Sequence, residues 1–458
     1  MRSEIFEKLS LPRLFARCVL PGSVSMAAGA LYVVVDGMFV GHYMGHDSLA
    51  AANMMWPLLG VVFALSSMVS TGASVKISNY LGRRERDKAC RMFTASVCIE
   101  IALGLFMCVA GFLLTVPFLK LMGAGAQTQE LCRSYIRSYL IFGPLVCLYY
   151  SINGYLRVSG MQRFSMWLNV GASLLNLLLD YIFIVVLRQG IWCASFTTCV
   201  SLSAGALAGF TPFLLGRADL RFVRGLITAG QLKRMLLNGT PEFLEEVSGS
   251  VLMLAVNGLL LKLGGTVAVA ANAAALYAGA VAMMLLDGVS NAMQPPLSYC
   301  FGARILPRVA AIEKWCLILC AAIALAVVVL FEAAGGLIMP LFGAPGDEEF
   351  VRLGVLCIRI FSISYLFIWA EICLRVFLTA LESAGRAFIL SMARTVVFPL
   401  AALWACTSLF GLEGVWISSS VSAFLSAALG VHFARSLWKS VKARNHEDPI
   451  SVQPGKEA

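Results

Sequence analysis

Charge is the scarcest commodity in this chain. Charged side chains make up 13% of the 458 residues while 59% are hydrophobic, and soluble domains carry roughly twice that charge, about 25%. The balance excludes a soluble enzyme, with or without a single anchor. It leaves an integral membrane protein of many spans. Histidine is scarce too, with four residues, and none stands in an H-E-x-x-H arrangement. The 14 cysteines are scattered through apolar stretches without a C-x-x-C pair, so no zinc or redox motif is visible. His42 and His46 stand four apart beside Asp47, in a glycine-rich connection where no metal site is expected. A membrane-embedded enzyme needs a nucleophile with its base, or a metal cluster, and neither can be assembled. No enzymatic activity and no cofactor are expected. No cleavable leader is expected: Arg2, Glu4, Glu7 and Lys8 form an amphipathic start, and no small-residue cleavage site is visible after the first apolar run.

The net charge of +10 would suggest nucleic acid in a soluble protein. Here it fits cytoplasmic loops of a plasma (inner) membrane protein, where Lys and Arg accumulate. Twelve apolar segments can be marked, at 14–40, 48–80, 92–117, 130–156, 162–187, 190–215, 236–262, 266–300, 312–340, 350–381, 387–410 and 412–436. Helix is the form that satisfies every backbone group in lipid. Basic residues crowd alternate connections: Arg83, Arg84, Arg86, Lys88 and Arg91 after the second segment, Arg217, Arg221, Arg224, Lys233 and Arg234 after the sixth, Arg304, Arg308 and Lys314 after the eighth. The intervening connections are nearly bare, and 343–349 is acidic. Both termini are therefore expected in the cytoplasm.

The chain repeats itself at an offset near 220 residues: Pro21 on Pro241, Asn53 on Asn272, and Ser78–Gly82 on Ser298–Gly302. Six segments separate the copies, so both have the same orientation. The expected fold is all-α and polytopic, with 12 transmembrane helices in two pseudo-symmetric six-helix bundles and a cleft between them. The expected boundaries are a first bundle at 1–216, a cytoplasmic linker at 217–235, a second bundle at 236–440 and a tail at 441–458.

Asp36 stands out. From Cys18 to Val35 there is no charge, and the run continues apolar to Gly41. A carboxylate in such a span costs roughly 2.5–3.5 kcal/mol on insertion scales, and its default reading is an ion or proton site. On the fifth segment Asn176 and Asp180 are one turn apart and share a face, with Asn169 and Ser173 extending the stripe. In the second half Glu242, Glu245 and Glu246 open the seventh segment, where they can also serve the positive end of a helix. Asp287, Asn291 and Gln294 form a stripe on the eighth. Glu371 lies deep in the tenth, with Arg375 one turn away as a neutralising partner. Lys76 is expected to snorkel to the cytoplasmic interface, and Arg394 also falls within an apolar segment.

The run Asp36-Gly37-Met38-Phe39-Val40-Gly41, followed by Leu49-Ala50-Ala51, Gly72 and Gly82, resembles the first two helices of the multidrug and toxic compound extrusion (MATE) transporters. Gln294–Ala303 resembles the end of their eighth helix, and Gly411–Trp416 the entry to their twelfth. The resemblance covers about residues 10–436 and is to a bacterial member. It implies efflux of cationic, amphipathic compounds, drugs or metabolites, driven by inward sodium or proton flow. It also implies a coupling site of Asp36, Asn176, Asp180 and a hydroxyl from the sixth helix, with Thr198 preferred to Thr197 and Ser201. Any sodium would be held by the same four residues. For the second bundle it offers a less defined acidic site, with Glu246, Asp287 and Glu371 as candidates. The expected partners are small molecules and the lipid bilayer, with no nucleic acid and a monomeric chain. The alternative within transport is a flippase for lipid-linked precursors of related architecture, which needs a cleft lined by cations.

Overall fold

The structure is a computed structural model that describes residues 2–44, 46–121, 125–225, 227–341 and 347–447. A short helix, α1 (Ile5–Lys8), precedes six rods: α2 (Leu11–Met44), α3 (His46–Gly82), α4 (Arg86–Leu121), α5 (Ala126–Val158), α6 (Gln162–Asp180) and α7 (Trp192–Leu214). α6 runs on as a wider π-helical stretch, Tyr181–Val186. An irregular stretch then leads to α8 (Ala229–Gly302), α9 (Leu306–Ile338), α10 (Glu348–Ser362), α11 (Tyr365–Ala380), α12 (Ala384–Met392) and α13 (Phe398–Glu447).

The second half also contains six rods, because two helices are folded and two are joined. α8 turns at Gly265 (φ 65°) and α13 at Gly411 (φ 58°), a backbone region that a residue with a Cβ enters at a cost. α10 and α11 meet at 46° and act as one bent span. α12 passes through a π-helical stretch, Ala393–Val397, into α13. By length and apolarity alone, eight helical stretches among the described residues can cross a membrane, or nine counting the bent pair. Two of those eight are the stretches folded at Gly265 and Gly411, and α2 completes the set of twelve rods. Pro21, Pro57, Pro144 and Pro241 sit inside helices. Neighbouring helices and side chains compensate such breaks in membrane spans.

The halves meet along α3 and α8. A Cβ on Gly82 would lie 2.1 Å from the Tyr299 carbonyl oxygen, and one on Gly302 would lie 2.2 Å from that of Asn79. These two contacts are reciprocal: 82 and 302, and 79 and 299, share the repeat offset read in the sequence. Only glycine lets the backbones approach this closely. The Ser78 hydroxyl donates to the Pro295 carbonyl at 2.7 Å in the same seam.

Several expectations change here. Lys76 is buried along its stem and its ammonium pairs across the seam with Glu382, in the turn between α11 and α12, a partner the sequence did not offer. Glu242 and Glu245 do not open a helix. α8 begins at Ala229 behind a Thr228 capping box, three turns earlier, where the helix-dipole effect no longer reaches. His42 and His46 lie within helical ends of α2 and α3 rather than in a loop; the side chains of His46 and Asp47, much of the acidic 343–349 connection and the end of the 441–458 tail lie outside the described residues.

Candidate cation site

Asp180 ends the α-helical part of α6, where the backbone widens into π-helical turns. Such turns redirect side chains and recur at functional positions. Asp180 is fully buried, and its Oδ1 accepts the Thr197 hydroxyl from α7. One turn earlier, Asn176 Nδ2 donates to Thr198 Oγ1 at 3.4 Å. Thr198 in turn donates to the Ala194 carbonyl at 3.0 Å. Both threonines therefore enter the pocket, and it is Thr197, not Thr198, whose hydroxyl meets the carboxyl. Helix geometry decided this, because adjacent residues on α7 point about 100° apart and only one can face Asp180.

Asp36 comes from α2, and its carboxyl lies within hydrogen-bonding reach of that of Asp180. α2 and α6 pack together along this region. Three acceptor oxygens are buried here without a hydrogen-bond donor: Asp36 Oδ1, Asp180 Oδ2 and Asn176 Oδ1. Oxygens from carboxylates and an amide are the donor set a hard cation takes, and two carboxyls this close can also share one proton. Tyr32, one turn before Asp36, and Tyr135 on α5 lie in the same electrostatic neighbourhood. Neither tyrosine was marked in the sequence, where tyrosines in apolar segments read as packing.

Asn169 belongs to a separate network two turns before Asn176. It accepts the Tyr149 hydroxyl at 2.6 Å and Asn153 Nδ2 at 3.0 Å, and donates to Ser25 on α2. This ties α2, α5 and α6 together at a different level from the acidic pair. Ser173 is buried between the two.

The second bundle is built differently. Arg375, with 2% of its side chain exposed, reaches Glu242 at 2.7 Å, Glu245 at 3.2 Å and Asp287 at 4.0 Å. Arg394, in the π-helical stretch after α12, contacts Glu245 and Glu371. The expected pair Glu371–Arg375 does not form. Four carboxylates from α8 and α11 instead surround two guanidiniums. Glu371 and Asp287 join this cluster, while Glu246 stands outside it, exposed and on the side of α8 that senses Tyr150 of the first bundle. The sequence showed the carboxylates but missed their pairing, because α8, α11 and α12 are brought together only by packing. Among the described residues no group of three or more His, Cys, Asp and Glu is arranged to hold a metal ion.

The chain is 24% identical over 428 residues to the multidrug export protein MepA of Staphylococcus haemolyticus (strain JCSC1435), covering 92% of this chain and 93% of that protein. It is 24% identical over 443 residues to MepA of Staphylococcus aureus (strain MSSA476), covering 94% and 95%. Among solved structures, one described as MATE in complex with MaL6 superposes with a TM-score of 0.90 at 22% identity, covering 96% of this chain and 99% of the other. Another, an outward-facing conformation of a multidrug resistance MATE family transporter of the MOP superfamily, gives 0.90 at 21% identity, covering 97% and 99%. At such identities the superpositions establish the fold: an all-helical polytopic membrane protein of the two-bundle type. The MatE family model matches residues 21–182 and 241–404, one copy in each half, and the chain belongs to that family.

Proposed function

We propose that this protein is a multidrug efflux antiporter that exports cationic amphipathic compounds, coupled to inward flow of sodium or protons through the first bundle. The observation that carries the reading is the set of three donorless buried oxygens on Asp36, Asp180 and Asn176. A membrane protein has little reason to hold adjacent carboxyls in its interior unless a cation or proton visits them. The curated relatives named as multidrug export proteins support the export direction.

The cycle is alternating access. A cation or proton from outside occupies the Asp36–Asp180 pocket and favours one arrangement of α2 and α6; drug in the cleft between the bundles favours the other. Coupling requires that each ligand bind the two arrangements with different affinity. The closed Gly82–Gly302 seam suits a state sealed at the arginine-rich end, which we assign to the cytoplasm together with both termini. The bundles are assigned to 1–216 and 236–440, joined by a cytoplasmic linker at 217–235 and followed by a tail at 441–458. The protein acts as a monomer.

The flippase alternative has one observation in its favour, the buried guanidiniums of Arg375 and Arg394. Each is matched by carboxylates, however, so neither is free to take a phosphate. The test is efflux of a cationic dye from energised cells, with sodium and pH varied independently at matched expression. Asp36→Asn keeps the volume and removes the charge; it should abolish the ion dependence. Efflux at the unaltered rate in that variant would end the reading.

A further inference from the structure

The first bundle holds a third carboxyl that the Asp36–Asp180 pocket does not use. Glu100, on α4, is 0% exposed. α4 packs chiefly against α3 and α5, and the groups facing Glu100 from them are hydroxyls and a thiol. Ser66 of α3 donates to Oε2 at 2.6 Å, and Ser151 of α5 donates to Oε1. Tyr155 and Cys147 of α5 lie in its electrostatic neighbourhood, with Ser96 one turn away on α4 itself. Among the described residues no lysine or arginine pairs with Glu100. In the second bundle, by contrast, Glu242, Glu245 and Glu371 each have a guanidinium.

A seam of hydroxyls leads away from Glu100 between α3 and α5. Ser66, Ser70 and Ser74 follow at intervals of four on α3. Ser66 also reaches the Cys147 carbonyl at 3.2 Å and Ser70 that of Tyr150 at 3.4 Å. Ser74 packs against Gly154, where a Cβ would stand 2.5 Å from its Oγ. On α5 and at its C-terminal cap, Ser151, Tyr155 and Ser159 follow the same direction. Ser74 Oγ, Tyr155 Oη and Ser159 Oγ are all buried without a hydrogen-bond partner. Along the helix axes, Glu100 lies about 21 Å from the Arg86 end of α4, and Asp180 about 27 Å from the Gln162 end of α6. Glu100 is thus the carboxyl nearer the arginine-rich end.

We propose that Glu100 is a second proton-carrying site of the first bundle, at the head of a hydroxyl-lined seam between α3 and α5 that leads to the arginine-rich end. The proposal rests on the cation-coupled reading above and adds that protons take this route. A proton arriving on Glu100 forms the carboxylic acid. When it leaves to water along the seam, the carboxylate left behind accepts the Ser66 and Ser151 hydroxyl hydrogens, which are already aimed at it. Those two donors make the ionised form attainable without a counter-ion. The unpartnered hydroxyls of Ser74, Tyr155 and Ser159 are groups that can hydrogen-bond to that water.

The test uses full-length protein in liposomes. Infrared difference spectra between pH 5.5 and 8.5 should contain a carboxylic-acid band that is lost in Glu100→Gln and kept in Asp36→Asn. Dye transport driven by an imposed pH gradient should fall on the order of tenfold in Glu100→Gln while dye binding is retained. Tyr155→Phe, which leaves the carboxyl intact, should slow transport and spare the band. A band that is absent from the wild-type difference spectrum, or that persists in Glu100→Gln, overturns the proposal; so does unchanged gradient-driven transport in a Glu100→Gln protein that still binds dye. If Glu100→Gln fails to fold, a Ser66→Ala/Ser151→Ala protein decides the matter: its acid band should titrate at higher pH, and an unshifted band overturns the proposal. If instead Asp36→Asn transports normally while the Glu100 band titrates, the coupling reading fails and the Glu100 site stands.

Discussion

The two bundles share one pattern of helices, and their acidic clusters are built in opposite ways. In the first, Asp36 and Asp180 meet with hydroxyl and amide neighbours and oxygens left without donors. In the second, Glu242, Glu245, Glu371 and Asp287 gather around Arg375 and Arg394. Both clusters stand where a helix widens into π-helical turns, Tyr181–Val186 in one half and Ala393–Val397 in the other. The backbone device is shared, and the side chains placed on it differ: Asp180 in one, Arg394 in the other. A cluster that holds two guanidiniums among four carboxylates has part of its charge already met. A cluster that lacks them has a continuing demand for a proton or an ion. On the proposed reading the first bundle carries the coupling and the second acts as a lock.

The most damaging way to break this contrast is to remove a guanidinium. Arg375→Met should leave Glu242, Glu245 and Asp287 facing one another and destabilise the protein by about 3–5 kcal/mol, read as a fall in Tm in detergent. A Tm equal to wild type would mean that the cluster is not a lock. Next comes the first-bundle pair. Asp36→Asn should cut ion-driven efflux on the order of 100-fold with little change in Tm. Asp180→Asn should lose most of the same dependence, and the double variant should add little. Two large effects that simply add would describe two separate sites.

Smaller changes sharpen the picture. Thr197→Val removes a hydroxyl from the Asp180 carboxylate and should weaken ion dependence by about 1.5–3 kcal/mol, visible as a higher half-saturating sodium or proton concentration. Thr198→Val removes contacts to Asn176 and to the Ala194 carbonyl but none to a carboxylate and should cost less; the reverse order would place the carboxylate's partner on the other threonine. Smallest of all, Glu246→Gln removes a carboxylate with no ion pair in the cluster and should change stability by no more than about 0.5 kcal/mol, read as a nearly unmoved Tm. A large loss there would bring Glu246 back into the lock.

Much of this was legible because membrane insertion makes a few residues speak loudly. An uncharged run around Asp36, and Asn176 and Asp180 on one face, mark the candidate site in the sequence alone, since charge in lipid is expensive wherever it sits. The second bundle misled for the same reason that it is stable. Arg375 lies one turn from Glu371, so helix spacing offers that pair, yet the guanidinium turns toward α8 and Glu371 is taken by Arg394. Glu100 also stands alone in its apolar segment, but its partners, Ser66 and Ser151, are ordinary small residues on other helices, and no spacing joins them to it.

The class, the number of apolar rods, their repeat at an offset near 220 and the family can all be read along one chain, because they follow from hydropathy, spacing and short motifs. Packing decided the rest. Whether Thr197 or Thr198 faces the carboxyl depends on the rotation of α7, and whether an acid is free or matched depends on which helix brings a cation against it. The Gly82 and Gly302 contacts carry the same lesson: the sequence marks two glycines at equivalent positions, but only the crossing of α3 and α8, with backbone oxygens where each Cβ would be, makes them necessary. Interactions along a helix are fixed by its period; interactions between helices are fixed by how the rods are rotated and tilted, and no local spacing encodes that.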